Sequence, residues 1–292
     1  MPDEVPPPAA MRGSADAVEI AKTVLAVLDG SRPGPAAMAT VVQRAGSAPQ
    51  ATGAKMLRFA DGTIVGTVGG GAIEAQVLEA CAETLRDGRA RMVSAHLVRD
   101  LAMCCGGSME VFVEYLQAQT RLFIVGGGHV AQAVAPLAVS AGFRVSVFDD
   151  REEILGHPAF EGLTTDAYDV DELDAAIPDL SDADYLLIVT RDHARDEKAL
   201  AALLQRPHQY IGMIGSRRKV HTVVGRVLRR EAQMGRPAPD LSRLRAPVGL
   251  ALGGKTPPEI AVSIVAELLA WRHGGAGTPM SIVDDVAPAV DD

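Results

Sequence analysis

The sequence predicts an α/β chain in two parts: a small N-terminal α+β domain, then a Rossmann-like parallel-sheet domain. Three observations carry this. Short strand-like runs, glycine turns and two helical patterns fill the first 117 residues. From Arg121 onward, buried-type runs alternate with helical patterns, which implies a parallel sheet with right-handed crossovers. The stretch IVGGGHVAQ (124–132) then joins a strand, three glycines and a helix start, the pattern of a dinucleotide-binding turn.

The elements follow in order. Residues 1–14, MPDEVPPPAAMRGS, read as a disordered tail. ADAVEIAKTVLAVLD (15–29) has apolar spacings of three and four and stops at Gly30, a helix with a glycine C-cap. AAMATVVQRAG (36–46) reads as a strand. AKMLRFADGTIVGTV (54–68) reads as two strands around Asp61-Gly62, a hairpin signal. Gly69, Gly70 and Gly71 lead into an amphipathic helix that closes at Gly88, and RMVSAHLV (91–98) and SMEVFVEYL (108–116) are further strands. The first domain thus spans 15–117 and the second 118–292. In the second, RLFIV opens the sheet, a helix follows the glycines, and FRVSVFDD is the next strand. Residues 180–190 and 208–215 supply strands and 195–204 a helix. One internal echo stands out: TVGGGAIEA in the first half and IVGGGHVAQ in the second.

Composition narrows the function. Hydrophobic residues make up 48 %, enough for a sizeable core, and the net charge of −9 argues against a general nucleic-acid or anionic-membrane surface. The N-terminus lacks the basic and apolar regions of a signal peptide, and no run of eighteen apolar residues offers a membrane span, so a cytoplasmic location is expected. Three cysteines in that setting are thiols rather than a disulfide framework.

Gly126, Gly127 and Gly128 form the centre of the dinucleotide pattern, with Ala131 in its third place and His129 inside it. Asp149 ends the next strand, where an acid bonds ribose hydroxyls in such folds. The residues leave open whether this loop binds a dinucleotide or keeps only the shape. The other triplet, Gly69–Gly71, reads either as an anion cradle or as a tight turn. Ser216, Arg217, Arg218 and Lys219 gather cations where a strand gives way to a helix, either a phosphate site or a solvated basic turn. At 252–264, Thr256, Pro257 and Glu259 make a helix capping box that leaves Lys255 as surplus. His129 and His193 are loop histidines, a type more often structural than catalytic. No HExxH, paired CxxC or GxSxG pattern appears, which removes support for zincin, zinc-ribbon and α/β-hydrolase chemistry. The adjacent thiols Cys104 and Cys105, followed by Gly106 and Gly107, suit either a buried structural role or a soft-metal or sulfur-transfer role.

Seven stretches together resemble the XdhC/CoxI family, accessory proteins in the maturation of molybdenum hydroxylases. They are GSAPQATGAKML (46–57), DGTIVGTVGGGAIE (61–74), CCGGSMEVFVE (104–114), IVGGGHVAQAV (124–134), FDDRE (148–152), IGMIGSRRK (211–219) and PVGLALGGKTPPEIAVSIVAE (247–267), in family order. Gln50 stands where the resemblance leads one to expect arginine. The resemblance implies a chaperone, not an enzyme, for the molybdenum cofactor (molybdopterin), which holds the cofactor while a sulfido ligand is installed and delivers it to xanthine dehydrogenase apoprotein. It implies a cysteine desulfurase as a second partner, and a homodimer. Cys104 and Cys105 would then face molybdenum or sulfur, Cys105 as a possible molybdenum contact beside Gly106. The glycine turns 69–71 and 126–128, His129, Asp149, Ser216, Arg217, Arg218 and Lys255 would hold pterin and phosphate. Two rival readings accompany it: an NAD(P)-dependent oxidoreductase using the glycine loop, and a cofactor-free scaffold between sulfurase and client.

Overall fold

The computed structural model describes residues 15–32, 34–96, 107–168, 172–177 and 179–282. The chain divides into two compact units, Met1–Gln119 and Thr120–Asp292.

In the first unit, α1 (Ala15–Leu28) precedes strands β1 (Ala36–Ala45), β2 (Lys55–Phe59) and β3 (Ile64–Gly66). Helix α2 (Gly71–Asp87) and strands β4 (Arg91–His96) and β5 (Ser108–Leu116) complete it. The five strands form an antiparallel sheet in the order β3-β2-β1-β5-β4. Strand side chains alternate between faces, and β1 shows why its alanines are needed. Ala37, Ala39 and Val41 pack with Ile73, Val77 and Cys81 of α2, while Ala36 joins Ile20 and Val27 of α1. Small residues on the central strand let a helix approach each face. Asp61 and Gly62 close the β2–β3 hairpin, with the Asp61 carboxylate accepting from the Thr63 N–H at 2.8 Å. Gly88 ends α2 at φ 70, donating its N–H to the Thr84 carbonyl.

The second unit holds β6 (Thr120–Val125), α3 (His129–Ser140), β7 (Phe143–Asp149), α4 (Glu152–Leu155), β8 (Thr164–Ala167) and α5 (Leu173–Ala176). It continues with β9 (Tyr185–Ile188), α6 (His193–Leu203), β10 (Tyr210–Met213), α7 (Arg217–Gln233), β11 (Leu244–Arg245) and α8 (Pro257–His273). The six parallel strands lie in the order β11-β10-β9-β6-β7-β8. Counted from β6 as first strand, this is the 3-2-1-4-5-6 order of dinucleotide-binding folds. Leu122 and Ile124 of β6 face the core shared with α3 and α8. Phe123 and Val125 face the core shared with α6 and α7. Because both faces are covered, β6 is a continuous apolar run rather than an alternating one. Full burial of each such side chain contributes roughly 1.5–3 kcal/mol.

Two differences from the sequence reading have simple causes. The strand expected over 180–190 is confined to Tyr185–Ile188, because Ser181 and Asp184 form a turn in which the Ser181 N–H and hydroxyl both donate to the Asp184 carboxylate. Strands β8 and β11 stand where the sequence pattern shows no strand. All four residues of β8 are exposed, and β11 has only two residues, so neither leaves an apolar pattern.

Candidate functional site

In an open parallel sheet, ligands bind outside the carboxyl ends of the strands where the strand order reverses. Here that point lies between β6 and β9, and a cleft of about 440 Å3 opens there. It is lined by Gly128, His129, Val130 and Gln132 of the glycine loop and α3, by Arg151 and Ile154, by Val189, Thr190 and Arg191, and by Ile214 and Pro257.

The three glycines do different work. Gly126 has φ 110, and a Cβ there would stand 2.5 Å from the Val189 carbonyl oxygen, so only glycine lets β6 leave the sheet beside the end of β9. A Cβ on Gly127 would come within 2.9 Å of Ile154. Gly128 is different: it is extended (φ −69), nothing lies within 4 Å of its would-be Cβ, and it caps α3 without any side-chain hydrogen bond. The first turn of α3 therefore points N–H groups at the cleft with no side chain answering them, which favours an anion.

Asp149 lies beneath this loop, 4 % exposed. Its Oδ2 accepts from the Gly127 N–H at 2.7 Å and from Arg151 Nη2 at 3.0 Å. Its Oδ1 accepts from the Arg151 N–H at 3.0 Å and Nε at 2.8 Å. A carboxylate has about four acceptor positions, so Asp149 is saturated from within. Burial alone would push its carboxyl up. The Arg151 guanidinium and the Gly127 N–H outweigh burial and hold it below the usual carboxylate range.

The rim is a lattice of charges. Asp150 accepts from Arg191 at 2.8 Å and from Arg195 Nε at 2.9 Å, and Asp192 accepts from Arg195 at 2.6 Å while capping α6. Behind it, Thr190 donates its hydroxyl to the buried Asp196 at 2.7 Å, and Asp196 also pairs with Lys219. Lys219 is thus turned inward to an acid. Ser216 caps α7, accepting from the Lys219 N–H at 3.2 Å, and with Arg217 and Arg218 it is exposed and off the cleft wall. Lys255 is likewise exposed, its N–H donated to Glu259, which completes the capping box with Thr256. The approach of α7 and α8 to the cleft is made instead by Ile214 and Pro257. Of the anticipated residues, then, Gly128 and His129 line the cleft, and Gly126, Gly127 and Asp149 support it. Arg151 and Arg191 were missed, although Arg151 stands two residues after the acid that ends β7, where nucleotide-binding folds place a phosphate-reading arginine.

The first unit brings its motifs to one end of its sheet. The Glu74 carboxylate turns back onto the glycine triplet: it accepts from the Thr67 hydroxyl, from the Gly70 N–H at 3.1 Å and from the Val68 N–H at 3.3 Å. Burial raises the Glu74 carboxyl, but these donors prevail and lower it. A Cβ on Gly69 would lie 2.6 Å from Pro49, and one on Gly107 would lie 2.6 Å from the Ser47 carbonyl oxygen. The loop after β1, the triplet and the start of β5 therefore meet, and Gly107 makes room for the protein's own backbone. Cys104, Cys105 and Gly106 lie outside the described residues. Cys81 is fully buried against the sheet, and desolvation pushes its thiol up to about 11, which leaves it inert. Among the described residues, no group of three or more His, Cys, Asp or Glu is placed to hold a metal ion.

The two glycine triplets now separate. In the first, the residue three after the last glycine is Glu74, and the cradle holds that carboxylate. By helix register the counterpart of Glu74 in α3 is Gln132, four residues past its N-cap; its amide donates to the Gly127 carbonyl at 3.1 Å, and no acid fills the second cradle.

Fold and site together define a dinucleotide-type cleft with one unanswered helix N-terminus beside two arginines. The chain belongs to the XdhC and CoxI family: the model described as the XdhC and CoxI family matches residues 31–96, and that described as the XdhC Rossmann domain matches residues 122–268. Three relatives are similar to it. An Escherichia coli (strain K12) protein named YqeB, described as uncharacterized, is 36 % identical over 249 residues, covering 83 % of this chain and 44 % of YqeB. A Bacillus subtilis (strain 168) protein, named as a probable xanthine dehydrogenase subunit, is 29 % identical over 169 residues, 56 % of this chain and 46 % of that protein. The E. coli (strain K12) protein named molybdenum cofactor insertion chaperone PaoD is 23 % identical over 290 residues, 81 % of this chain and 83 % of PaoD. The chain thus spans less than half the length of the first two. No helix among the described residues is long and apolar enough to cross a membrane.

Proposed function

We propose that the protein is a chaperone of the molybdenum cofactor: it holds the cofactor during sulfuration by a cysteine desulfurase and passes it to apo xanthine dehydrogenase or a related hydroxylase. One observation carries the reading: in a member of the XdhC and CoxI family, the glycine loop at the α3 N-terminus is left open to an anion, whereas the matching triplet before α2 is filled by Glu74. A pterin phosphate suits such a site, because unanswered N–H groups and the helix dipole both favour negative charge. Arg151 and Arg191 on the cleft wall are already held by Asp149 and Asp150, so the pull on an anion comes chiefly from the helix N-terminus. A name on a relative, molybdenum cofactor insertion chaperone, supports the choice of cargo. The saturation of Asp149 weighs against the rival NAD-dependent oxidoreductase, which needs that carboxylate for the adenosine ribose. The cargo brings the redox and sulfur chemistry; this chain binds, orients and shields.

Gly128→Asp tests the reading. The site is sterically open and its backbone is extended, so aspartate fits and caps α3 at least as well as glycine. It also fills the cleft end with a carboxylate, as Glu74 does before α2. The expected result is a variant as stable as the wild type that retains little molybdopterin on purification. Normal cofactor content in Gly128→Asp would place the cargo elsewhere. The same measurement on Cys105→Ser, Cys104→Ser and Cys81→Ser gives the order expected for thiols that serve the cargo: loss, partial loss and no change.

A further inference from the structure

The second unit carries a surface that the cofactor reading does not use. Helix α7, RRKVHTVVGRVLRREAQ, has six cations (Arg217, Arg218, Lys219, Arg226, Arg229 and Arg230) and one acid, Glu231, in a chain of net charge −9. Two cations are answered within the unit: Lys219 by Asp196, and Arg226 by Glu197 at 3.2 Å. Arg217, Arg218, Arg229 and Arg230 are exposed and pair with no acid among the described residues.

The same helix has two apolar stripes. Val223 and Val227 are buried in the core beside β9 and β10. Val220, Val224 and Leu228, four residues apart, remain half-buried and form one wall of a groove of about 390 Å3, with Leu241, Leu244 and Ala246 as the other wall. Among the described residues, no carboxylate lines it. At 1.5 Å per residue, Arg217 and Arg229 stand about 18 Å apart along α7, one just before Val220 and one just after Leu228, while Arg218 and Arg230 lie about 160° round the helix from those residues and face away. Six residues of extended chain span roughly that distance.

We propose that this groove docks an extended acidic segment of a protein partner. Two or three aliphatic side chains of that segment seat against Val224, Leu228 and Leu244, and carboxylates at its two ends meet Arg217 and Arg229. The apolar walls anchor it, and the arginines supply rate and selectivity. A nucleic-acid backbone would use the arginines but leaves an aliphatic groove unfilled. A bilayer needs a protruding apolar face, and this one is concave.

The test is fluorescence anisotropy of the full chain with a labelled nine-residue peptide: two aspartates, five alternating valine and proline residues, two aspartates. Saturable binding is expected at low salt, weakening as salt rises. Arg217→Glu/Arg229→Glu, both at exposed positions, should weaken it about tenfold. Val224→Asp should do the same from the groove side, and its fold is checked by circular dichroism. A peptide with asparagine at all four acidic positions should bind at least about tenfold more weakly. The proposal is overturned by absence of saturable binding, by equal affinity for the neutral peptide, or by charge-reversed arginines that bind as well as wild type. Duplex DNA or phosphatidylserine vesicles bound through the arginines, without dependence on Val224, would overturn it as well. Molybdopterin content, read on the same preparations, reports separately on the cofactor reading.

Discussion

Arg151→Ala takes the guanidinium off Asp149 and leaves the loop glycines in place. Of the four donors that saturate this carboxylate, two are Arg151 side-chain nitrogens, at 2.8 and 3.0 Å, and they approach from the residue that lines the cleft. Their removal opens one position on each carboxylate oxygen. The 2′- and 3′-hydroxyls of an adenosine ribose are the natural replacements in this fold. A hydrogen bond to an ionised group is worth about 1.5–3 kcal/mol, so gaining one such bond should tighten NADH binding by roughly ten- to a hundredfold. The variant loses some stability, about 1–3 kcal/mol, because the buried carboxylate keeps only two backbone donors, the Gly127 N–H and the N–H of the substituted residue itself.

NADH fluorescence titrations of wild type, Arg151→Ala and Arg151→Ala/Asp149→Asn, run well below each melting temperature, read this directly. Wild type should not saturate at accessible concentrations. Arg151→Ala should bind measurably, and the double variant should revert, because the gain requires an ionised acceptor. Tight NADH binding by wild type would show that saturation of Asp149 does not exclude the ribose, and an Arg151→Ala variant indistinguishable from wild type would show that some other feature does.

Two further outcomes follow from buried charges. Lys219→Ala strands the fully buried Asp196 with only Thr190 as partner, which should cost about 3–5 kcal/mol in urea unfolding; a variant as stable as wild type would refute the inward placement of Lys219. Asp149 has a lowered pKa in the folded state, so its pairing stabilises fully above the unfolded value near 3.8 and is lost as pH falls through the lower folded value. The stability gap between wild type and Asp149→Asn should therefore be constant near neutrality and close in acid; a gap that widens in acid would reverse the sign.

Much of the fold is legible in the sequence wherever one residue type has one physical use. The RLFIV run has no alternation because α3, α8, α6 and α7 cover both faces of β6. Gly88 and the Thr256-Glu259 pair mark helix ends because their local geometry is self-contained. Strands β8 and β11 are illegible because their neighbours, not their side chains, hold them: Thr164–Ala167 pair with β7 while staying exposed. Charged residues are the hardest to read. MIGSRRK looks like a single basic cluster, yet Lys219 turns inward to Asp196 while Arg217 and Arg218 stay in solvent. A helix turns about 100° per residue, so Lys219 lies roughly 200° round from Arg217 and cannot meet the same partner.

The two glycine triplets show what a motif alone leaves undecided. Both place three glycines after an apolar residue and lead into a helix, although Gly71 already belongs to α2 while Gly128 is the N-cap of α3; both present N–H groups to an anion. Gly69–Gly71 and Gly126–Gly128 differ in how far they are closed because of a residue the motif does not include. Glu74, on the first turn of α2, reaches back to the Gly70 and Val68 N–H groups, so that turn is closed by the chain itself. At the equivalent place, four residues past the N-cap, α3 carries Gln132, whose amide donates to the Gly127 carbonyl at 3.1 Å and leaves the first-turn N–H groups unanswered. An outside anion at the first triplet would have to displace a tethered carboxylate already held by three donors. At the second, no tethered carboxylate stands in its way. In this chain, an acid in the first helical turn fills one cradle from within, and a neutral side chain leaves the other for a ligand.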